Sequence, residues 1–570
     1  MDYIFSIANL QDIVLVKLCF FVFVIFGIIG IYKKWKSLFF IILMSVTSAL
    51  AYYFLVKDTA LMLWGLKADE ITIAAMYEMF AHGSCLSDFA YTSLPPFYPP
   101  LWFWLFGLLG RVINLNGVQI AKIASFSTIL VYPAIFYLLQ KWYWVKRKME
   151  GENSLEPLIW FLGTIFLFVL ISWDVTITKP YELVSASLVI LWTIFLLNEL
   201  KKGMNWKGWL VFGITGGILF MLFYFWFFLA AIGISLFNLF GNRVKLKDYG
   251  SLLIIGVFTL LFALPFWLPL AKSYSMFGTE NWQLGFLTLD WLSTEVPLLQ
   301  FNLVGLICLI GFVSLIIYRQ RFYIRILLSL FVASYIWQIM GLVTIFFFAS
   351  PLQESKGFYF FNHTILALSA AYGIAQLWIW LKNKYPNLAW QKSLALIGIL
   401  VLATQLIFGV FVDNRDVLAV KTRSAMVRRE AKEIIDFLGQ NYSDINKLTI
   451  LQSGIPELHA FLPFSDFIYF NQHNSHPAAN FSSRFYYLKD LSLLKTENDF
   501  YGKIVDTPFG QVNLLILFKN GENYSLFFNL DNFPNEIREA VIDIPKKLFS
   551  EEYFVKKFEN KDYVILEPKL

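Results

Sequence analysis

Residues 12–32 read DIVLVKLCFFVFVIFGIIGIY, and residues 251–270 read SLLIIGVFTLLFALPFWLPL. Each approaches or exceeds the roughly 18 apolar residues that can cross a bilayer. In lipid such a run has to be helical, because every backbone N–H and C=O needs a partner inside the segment. Composition points the same way. Of 570 residues, 58% are hydrophobic and only 15% charged, which excludes an ordinary soluble enzyme. An aromatic share of 19% suits belts at the water–lipid boundary. The expectation is a polytopic protein whose first partner is the lipid bilayer. Cys19 and Cys308 lie within apolar runs and Cys85 stands apart, so no disulfide framework is expected. The net charge of +6 comes from scattered loop cations that form no basic face, and nucleic acid is not expected as a partner.

Working outward from these runs gives twelve candidate spans: 12–31, 37–55, 118–140, 157–173, 183–200, 209–224, 226–240, 250–270, 298–318, 326–348, 361–381 and 393–412. Cytoplasmic loops should hold the Lys and Arg. Clusters occur at Lys33, Lys34 and Lys36; at Lys141, Lys146, Arg147 and Lys148; at Lys201, Lys202 and Lys207; at Arg243, Lys245 and Lys247; at Arg319, Arg321 and Arg325; and at Lys382, Lys384 and Lys392. Every second loop is therefore basic, provided that LWFWLFGLLGRVI, residues 101–113, does not cross. That segment is read as a juxtamembrane or re-entrant helix on the outer side.

This topology gathers several polar elements on the outer face. They are the 56–117 loop, the WDVTITKPYE turn, the YFWF break near Tyr224, the 271–297 loop and SPLQESKGFYFFNH. From about residue 413 the composition turns mixed. KTRSAMVRREAKEIIDFLGQ reads as a basic helical segment and LTILQSG as a short strand. VNLLILFKNGENYSLFFNL reads as a hairpin turning at Asn520-Gly521, and YFVKKFENKDYVILEP as a second hairpin. The predicted division is a membrane domain over 1–412 and an outer α/β domain over 413–570. The first span is too long for a cleaved signal and lacks a small-residue cleavage site.

Asp69 and Glu70 open the stretch GLKADEITIAAMYEMFAHG just past the second run. Ile71, Ala75 and Met79 share one helical face while Glu70, Tyr77 and Glu78 lean to another, which predicts an interfacial helix with acids at its start. Such acids also suit the helix dipole, with Asp69 as a cap. Other polar groups are placed on the same surface: Lys179 and Glu182 in KPYE, and Glu354 and Lys356 in ESKGFYFF.

The acid pair at the start of the first large outer loop is followed by YPPLWFWLFGLLGRVI and by a span ending in a basic loop. This layout resembles the GT-C superfamily of membrane glycosyltransferases, which use polyprenyl-phosphate-linked sugars. KPYE, ESKGFYFFNHTILA and FNQHNSHPAANFSSRFYYLKDL look most like the galactan arabinofuranosyltransferases of actinobacterial cell walls. The resemblance implies a GT-C-like all-α membrane domain of about twelve spans plus juxtamembrane helices, with an extracytoplasmic C-terminal domain. It implies a polyprenyl-phosphate sugar donor, a cell-envelope glycan acceptor and a plasma-membrane location. Some members place a divalent ion at the first-loop acid. The resemblance thus leaves a divalent ion at Asp69 open, but no second acid is spaced here to complete a metal site, and no cofactor is predicted.

Sugar transfer from a lipid phosphate to a hydroxyl needs a base for the hydroxyl proton and charge to stabilise an oxocarbenium-like carbon. Asp69 is the candidate base, with Glu70 beside it. Adjacent helical positions point about 100° apart, so the two are not expected to share a role, and a single carboxylate predicts inversion. Lys179 and Lys356 are placed to hold the donor phosphate, with Arg484 as a further candidate, although each lysine also fits a snorkelling anchor. Tyr98, Tyr181, Glu182, Glu354 and His363 are the candidate substrate contacts. His473 and His476 are read as structural hydrogen-bonding residues, since nothing completes a tetrahedral site around them. No P-loop or dinucleotide fingerprint occurs, which argues against nucleotide donors. The alternative is a transporter or flippase of lipid-linked sugar, which would call for paired broken spans and ionisable groups at the midplane. A wall-binding scaffold would not need Asp69 at all.

Overall fold

The computed structural model describes residues 6–63, 65–66, 69–147, 156–171, 173–239, 246–280, 296–349, 352, 358–385, 388–409, 414–532, 535 and 537–569. Through residue 409 the described chain is helical. In order run α1 (Ile7–Tyr32), α2 (Ser37–Val56), α3 (Asp69–His82), α4 (Leu101–Ile113), α5 (Gly117–Arg147), α6 (Glu156–Leu170), α7 (Trp173–Thr178) and α8 (Pro180–Lys202). They are followed by α9 (Trp206–Leu222), α10 (Phe225–Leu239), α11 (Leu246–Phe262), α12 (Leu264–Phe277), α13 (Leu303–Ile317), α14 (Phe322–Phe348), α15 (His363–Lys384) and α16 (Leu388–Gly409). Local chemistry sets several starts. Ser6 accepts from the amide of Asn9 at 3.1 Å, Asn205 from that of Gly208 at 3.1 Å and Asn302 from that of Gly305 at 2.9 Å, each satisfying a donor that the first turn leaves open.

Among the described residues, six helices are long and apolar enough to cross a membrane, namely α1, α2, α5, α8, α14 and the stretch Tyr359–Lys384 that contains α15. The bent pair α11 and α12 makes a seventh if it is taken as one span, and five further apolar helices are shorter. This is a multi-pass membrane protein. The unbroken 250–270 span expected from the sequence is corrected to two helices meeting at 77°. Pro265, in the first turn of α12, has no amide hydrogen to continue the ladder of α11, and Pro269 lies inside α12.

At 13 residues, about 20 Å long, α4 is too short to cross. Leu105, Leu108 and Val112 are exposed while Trp102, Phe103 and Phe106 are buried, as a helix lying along a boundary requires. Gly107 and Gly110 let it approach closely: a Cβ at Gly107 would lie 2.8 Å from Phe80 and one at Gly110 2.1 Å from Ile120. Arg111 donates to the carbonyls of Phe80, Ala81 and Gly83, closing the open C-terminus of α3.

Beyond residue 413 come α17 (Asn414–Ser424), α18 (Arg429–Asn441) and a mixed seven-stranded sheet. The expected single basic helix is therefore broken between Ser424 and Arg429. The strands are β1 (Thr449–Gln452), β2 (Ser465–Asp466), β5 (Leu514–Asn520), β6 (Asn523–Asp531), β7 (Ile537–Pro545), β8 (Phe554–Glu559) and β9 (Tyr563–Pro568); a separate short pair is β3 (Asp506–Thr507) with β4 (Gly510–Gln511). The hairpin β5–β6 turns where expected, with Asn520 opposite Asn523 and Gly521 at φ +54°. Alternation along the strands loads both faces. Leu451, Leu515 and Leu517 pack under α20 (Phe481–Leu491) and α21 (Glu497–Val505), while Ile450, Leu514 and Ile516 pack with α18 and α19 (Leu458–Phe461).

α17 packs back onto the helical part. Lys421 donates to the Asp12 carboxylate and to the Phe54 carbonyl at 3.0 Å, and Lys57 reaches the same carboxylate at 3.0 Å. The amides of Ala60 and Leu61 donate to Ala425 and Ser424 at 3.1 and 3.0 Å, and Ser424 donates to the Leu63 carbonyl. Residues 60, 61 and 63 are thus tied to the end of α17. Both members of the Lys421–Asp12 pair are nearly sealed, with side chains 3% and 5% exposed. Lys421→Met is expected to destabilise the protein by about 3 kcal/mol, at the low end for a broken buried pair because Lys57 remains. Adding Asp12→Asn should recover most of that loss in thermal unfolding, and no recovery would count against the pairing.

Candidate active site

The residues that open α3 diverge. Asp69 faces Lys179, the residue preceding α8, with Oδ2 and Nζ 2.5 Å apart and side chains 32% and 27% exposed. Glu70 is buried and acts electrostatically on the Tyr52 hydroxyl of α2. The two adjacent acids therefore occupy different surroundings, as the helical angle demands. Glu182, in the first turn of α8 and almost wholly buried, lies 3.9 Å from the same Lys179 ammonium. Burial works against the charge on Lys179, but the Asp69 and Glu182 carboxylates outweigh it and raise the lysine above its ordinary value.

Tyrosines close around this triad. Tyr98, on the proline-rich approach to α4, has its hydroxyl pushed well up by burial and then by the charges of Asp69 and Glu182. Tyr181 lies within electrostatic reach of Glu182, Tyr98 and Asp69. Its ring is 5.3 Å from Phe103 of α4 and 5.8 Å from Phe223 after α9. Tyr77, one helix further in, accepts from the Trp102 indole at 2.9 Å. Stiff prolines at positions 95, 96, 99 and 100 and a wall of rings thus hold one ammonium and two carboxylates at a half-exposed spot.

α3 is not the interfacial helix that its pattern suggested. Residues 70–81 are all buried, because α4 and α5 cover two sides and α19 of the C-terminal part covers another. Glu78, on the face expected to meet water, accepts from the Gly117 amide at 2.7 Å and is pushed up to about 8 by burial.

The C-terminal part meets α3, residues 88–91 and Glu280 through residues 466–482. Asn474 donates to Thr72, one helical turn from Asp69. Tyr91 shares a hydrogen bond with Ser475 at 2.9 Å, and the Asp466 amide donates to the Ala90 carbonyl at 2.7 Å. Asp88 accepts from the Ala90 and Tyr91 amides, and burial raises it to about 7. Glu280 accepts from Ser482, and its amide donates to Pro477 at 2.8 Å. The side chain of His476 accepts from the Ala478 amide at 3.0 Å and is lowered to about 4 by burial, so it is neutral and structural as expected. Asn474, Thr72 and Glu280 were not singled out from the sequence. Only fold-level contact identifies them, since each pair is separated by about 200 residues or more.

Several expected site residues fall elsewhere. Arg484, a candidate phosphate ligand by sequence, stands among rings and main-chain carbonyls. Its guanidinium donates to Ala479 at 2.7 Å and Phe467 at 2.5 Å, and it lies within 5.4 Å of the rings of Tyr91, Phe467 and Phe509. Arg484→Met should lower the unfolding temperature by several degrees while leaving donor binding within about twofold; a loss of donor binding at unchanged stability would restore the phosphate role. His363 is buried at the start of α15, with Nδ1 2.6 Å from the Tyr359 carbonyl. Glu354 and Lys356 lie outside the described residues.

Comparison with known proteins places this arrangement. The arabinofuranosyltransferase N-terminal family matches residues 8–379, well over half of the chain. The chain belongs to this family. Relatives of this family member include the galactan 5-O-arabinofuranosyltransferases of Mycobacterium leprae and of Corynebacterium glutamicum, each 22% identical. The first alignment covers 87% of this chain and 82% of the relative, the second 76% and 67%. In fold, this arabinofuranosyltransferase-family chain is similar to ArnT from Cupriavidus metallidurans bound to undecaprenyl phosphate. The TM-score is 0.51 at 13% identity, over 92% of this chain and 97% of that one. The apo form of the same protein gives 0.50. Membership of this family makes the present protein a glycosyltransferase, and the transporter alternative finds no support in these comparisons.

Proposed function

We propose that the protein transfers a pentofuranosyl group, arabinofuranose, from a polyprenyl-phosphate donor to a hydroxyl of a cell-envelope glycan. The observation that carries this reading is the Asp69–Lys179–Glu182 triad at the mouth of α3 and α8. The relatives' names supply the sugar, and the lipid carrier bound by the fold neighbour supplies the donor class. The arrangement of about twelve spans, with Asp69 and the residues after 413 on the outer face, belongs to the same proposal and rests on the alternation of basic loops.

In the resting site Lys179 is balanced by the two carboxylates. An incoming phosphate competes for the ammonium, and as Lys179 turns to it, the Asp69 carboxylate is released to accept a proton. The acceptor hydroxyl then gives its proton to Asp69. Its oxygen forms a bond to the anomeric carbon, and the bond from that carbon to the phosphate oxygen breaks, with the electron pair leaving on the prenyl phosphate. Because Asp69 and Glu182 grip one ammonium between them, they do not flank a sugar from opposite faces, which supports direct displacement with inversion. One ammonium against two carboxylates leaves the cluster with one negative charge; no step of this reading is routed through a cofactor.

The reading is tested with the full protein in nanodiscs, a radiolabelled undecaprenyl-phosphate arabinofuranose and a galactan oligomer. Transfer from the lipid donor with none from a nucleotide sugar is the expected result. Transfer from the nucleotide sugar, or movement of the donor across the bilayer without any glycoside formed, would reject it.

A further inference from the structure

α8 carries the site at one end and a second, unrelated feature at the other. Its 23 residues rise about 34 Å, close to the thickness of a bilayer's hydrocarbon core, so Lys179 and Lys202 belong to opposite membrane boundaries. Around Lys202 the chain turns through Gly203, at φ +87°, into α9, and a cavity of about 380 Å³ opens between that turn and the last turns of α5. Trp142, Phe195, Asn198, Glu199, Lys202 and Lys207 are among the residues lining it. None of these takes part in the Asp69 site.

Among the described residues that line the cavity, Lys202 is held by Glu199 at 2.9 Å, which neutralises one cation, while the Lys207 ammonium lies 5.9 Å from the Trp206 ring centre and leaves one positive charge over. Asn198 is buried, with its amide directed at Glu199. The apolar side is formed by Phe195 beside the half-exposed Trp142, ring centres 5.4 Å apart. One uncompensated cation, polar groups at the mouth and rings along the wall, all at a bilayer boundary, match a single-charged phosphodiester with acyl chains running along the wall.

We propose that this cavity binds the headgroup of an anionic phospholipid, with Lys202 and Lys207 on the phosphate and Trp142 and Phe195 against the glycerol and first acyl carbons. The site is separate from sugar transfer, so the proposal does not depend on the function assigned above. The test uses the full protein in nanodiscs of phosphatidylcholine alone or with 30% phosphatidylglycerol, read by thermal unfolding and by lipid retained in native mass spectrometry. Phosphatidylglycerol should raise the unfolding midpoint by about 3 °C or more, with one lipid retained. Lys202→Gln with Lys207→Gln should abolish both effects, and Glu199→Gln should enlarge them; if the double variant does not fold, Lys207→Gln alone and Glu199→Gln are compared. An equal phosphatidylglycerol effect in the lysine variants, no effect in the wild type, or an equal shift produced by inorganic phosphate in phosphatidylcholine discs would each overturn the proposal.

Discussion

Asp69→Asn is expected to reduce the turnover of sugar transfer by about a thousandfold, within the range of a lost general base, while the KM for the lipid donor changes by no more than about threefold. Asparagine preserves the size of the side chain and its place at the start of α3, so the helix should survive the change. What disappears is the proton acceptor and the charge that meets Lys179 at 2.5 Å. Lys179 would still have Glu182, at 3.9 Å, and would stay charged and able to grip phosphate. The loss should therefore appear in kcat rather than in donor binding. Asp69→Glu moves the carboxylate out by one methylene and should cost about a hundredfold, as a misplacement near 1 Å does. An Asp69→Asn protein that kept a tenth of wild-type turnover would remove this residue from the chemistry.

Lys179→Met should have the next largest effect, a fall of about 100- to 1000-fold in kcat/KM for the donor, because the phosphate loses its cation both on binding and on departure. Its effect on folding should be smaller. Removing the lysine leaves Glu182 buried without that partner, but the lysine and Asp69 are each about one-third exposed, so solvent screens the pair and the stability cost is about 1–2 kcal/mol rather than that of a sealed pair. Lys179→Met combined with Glu182→Gln separates the two roles. The double variant should recover its unfolding temperature and remain inactive. Recovery of transfer together with stability would mean that Lys179 only balances charge.

The sequence disclosed the helical architecture because apolar runs and basic loops have to track the bilayer, and it disclosed hairpin β5–β6 because Asn-Gly supplies the positive φ that the turn needs. α4 was legible as a non-crossing helix only through charge alternation, since its residues are as apolar as a span. The break near residue 263 had a signal in Pro265 that the long apolar run obscured. At the site, Asp69 and Lys179 were each recognisable by type and position, but 110 residues separate them and no periodicity links the two. The enclosure of Arg484 by rings and main-chain carbonyls had no signal, because in sequence such a guanidinium looks like any other cation. The burial of α3 was likewise invisible, because its covering layer comes from residues some 380 positions away.

That covering layer limits how the protein can be divided. A chain cut near residue 412 would keep its lipid-facing helices yet lose the wall formed by α19, the tether from Asn474 to Thr72 and the ties from the end of α17 to residues 60, 61 and 63. α3, which begins at Asp69, would then lose its cover on one flank. The C-terminal third is masonry for the reaction centre rather than an appendage, and grafting it from one homologue onto another would demand a matched seam along residues 57–94.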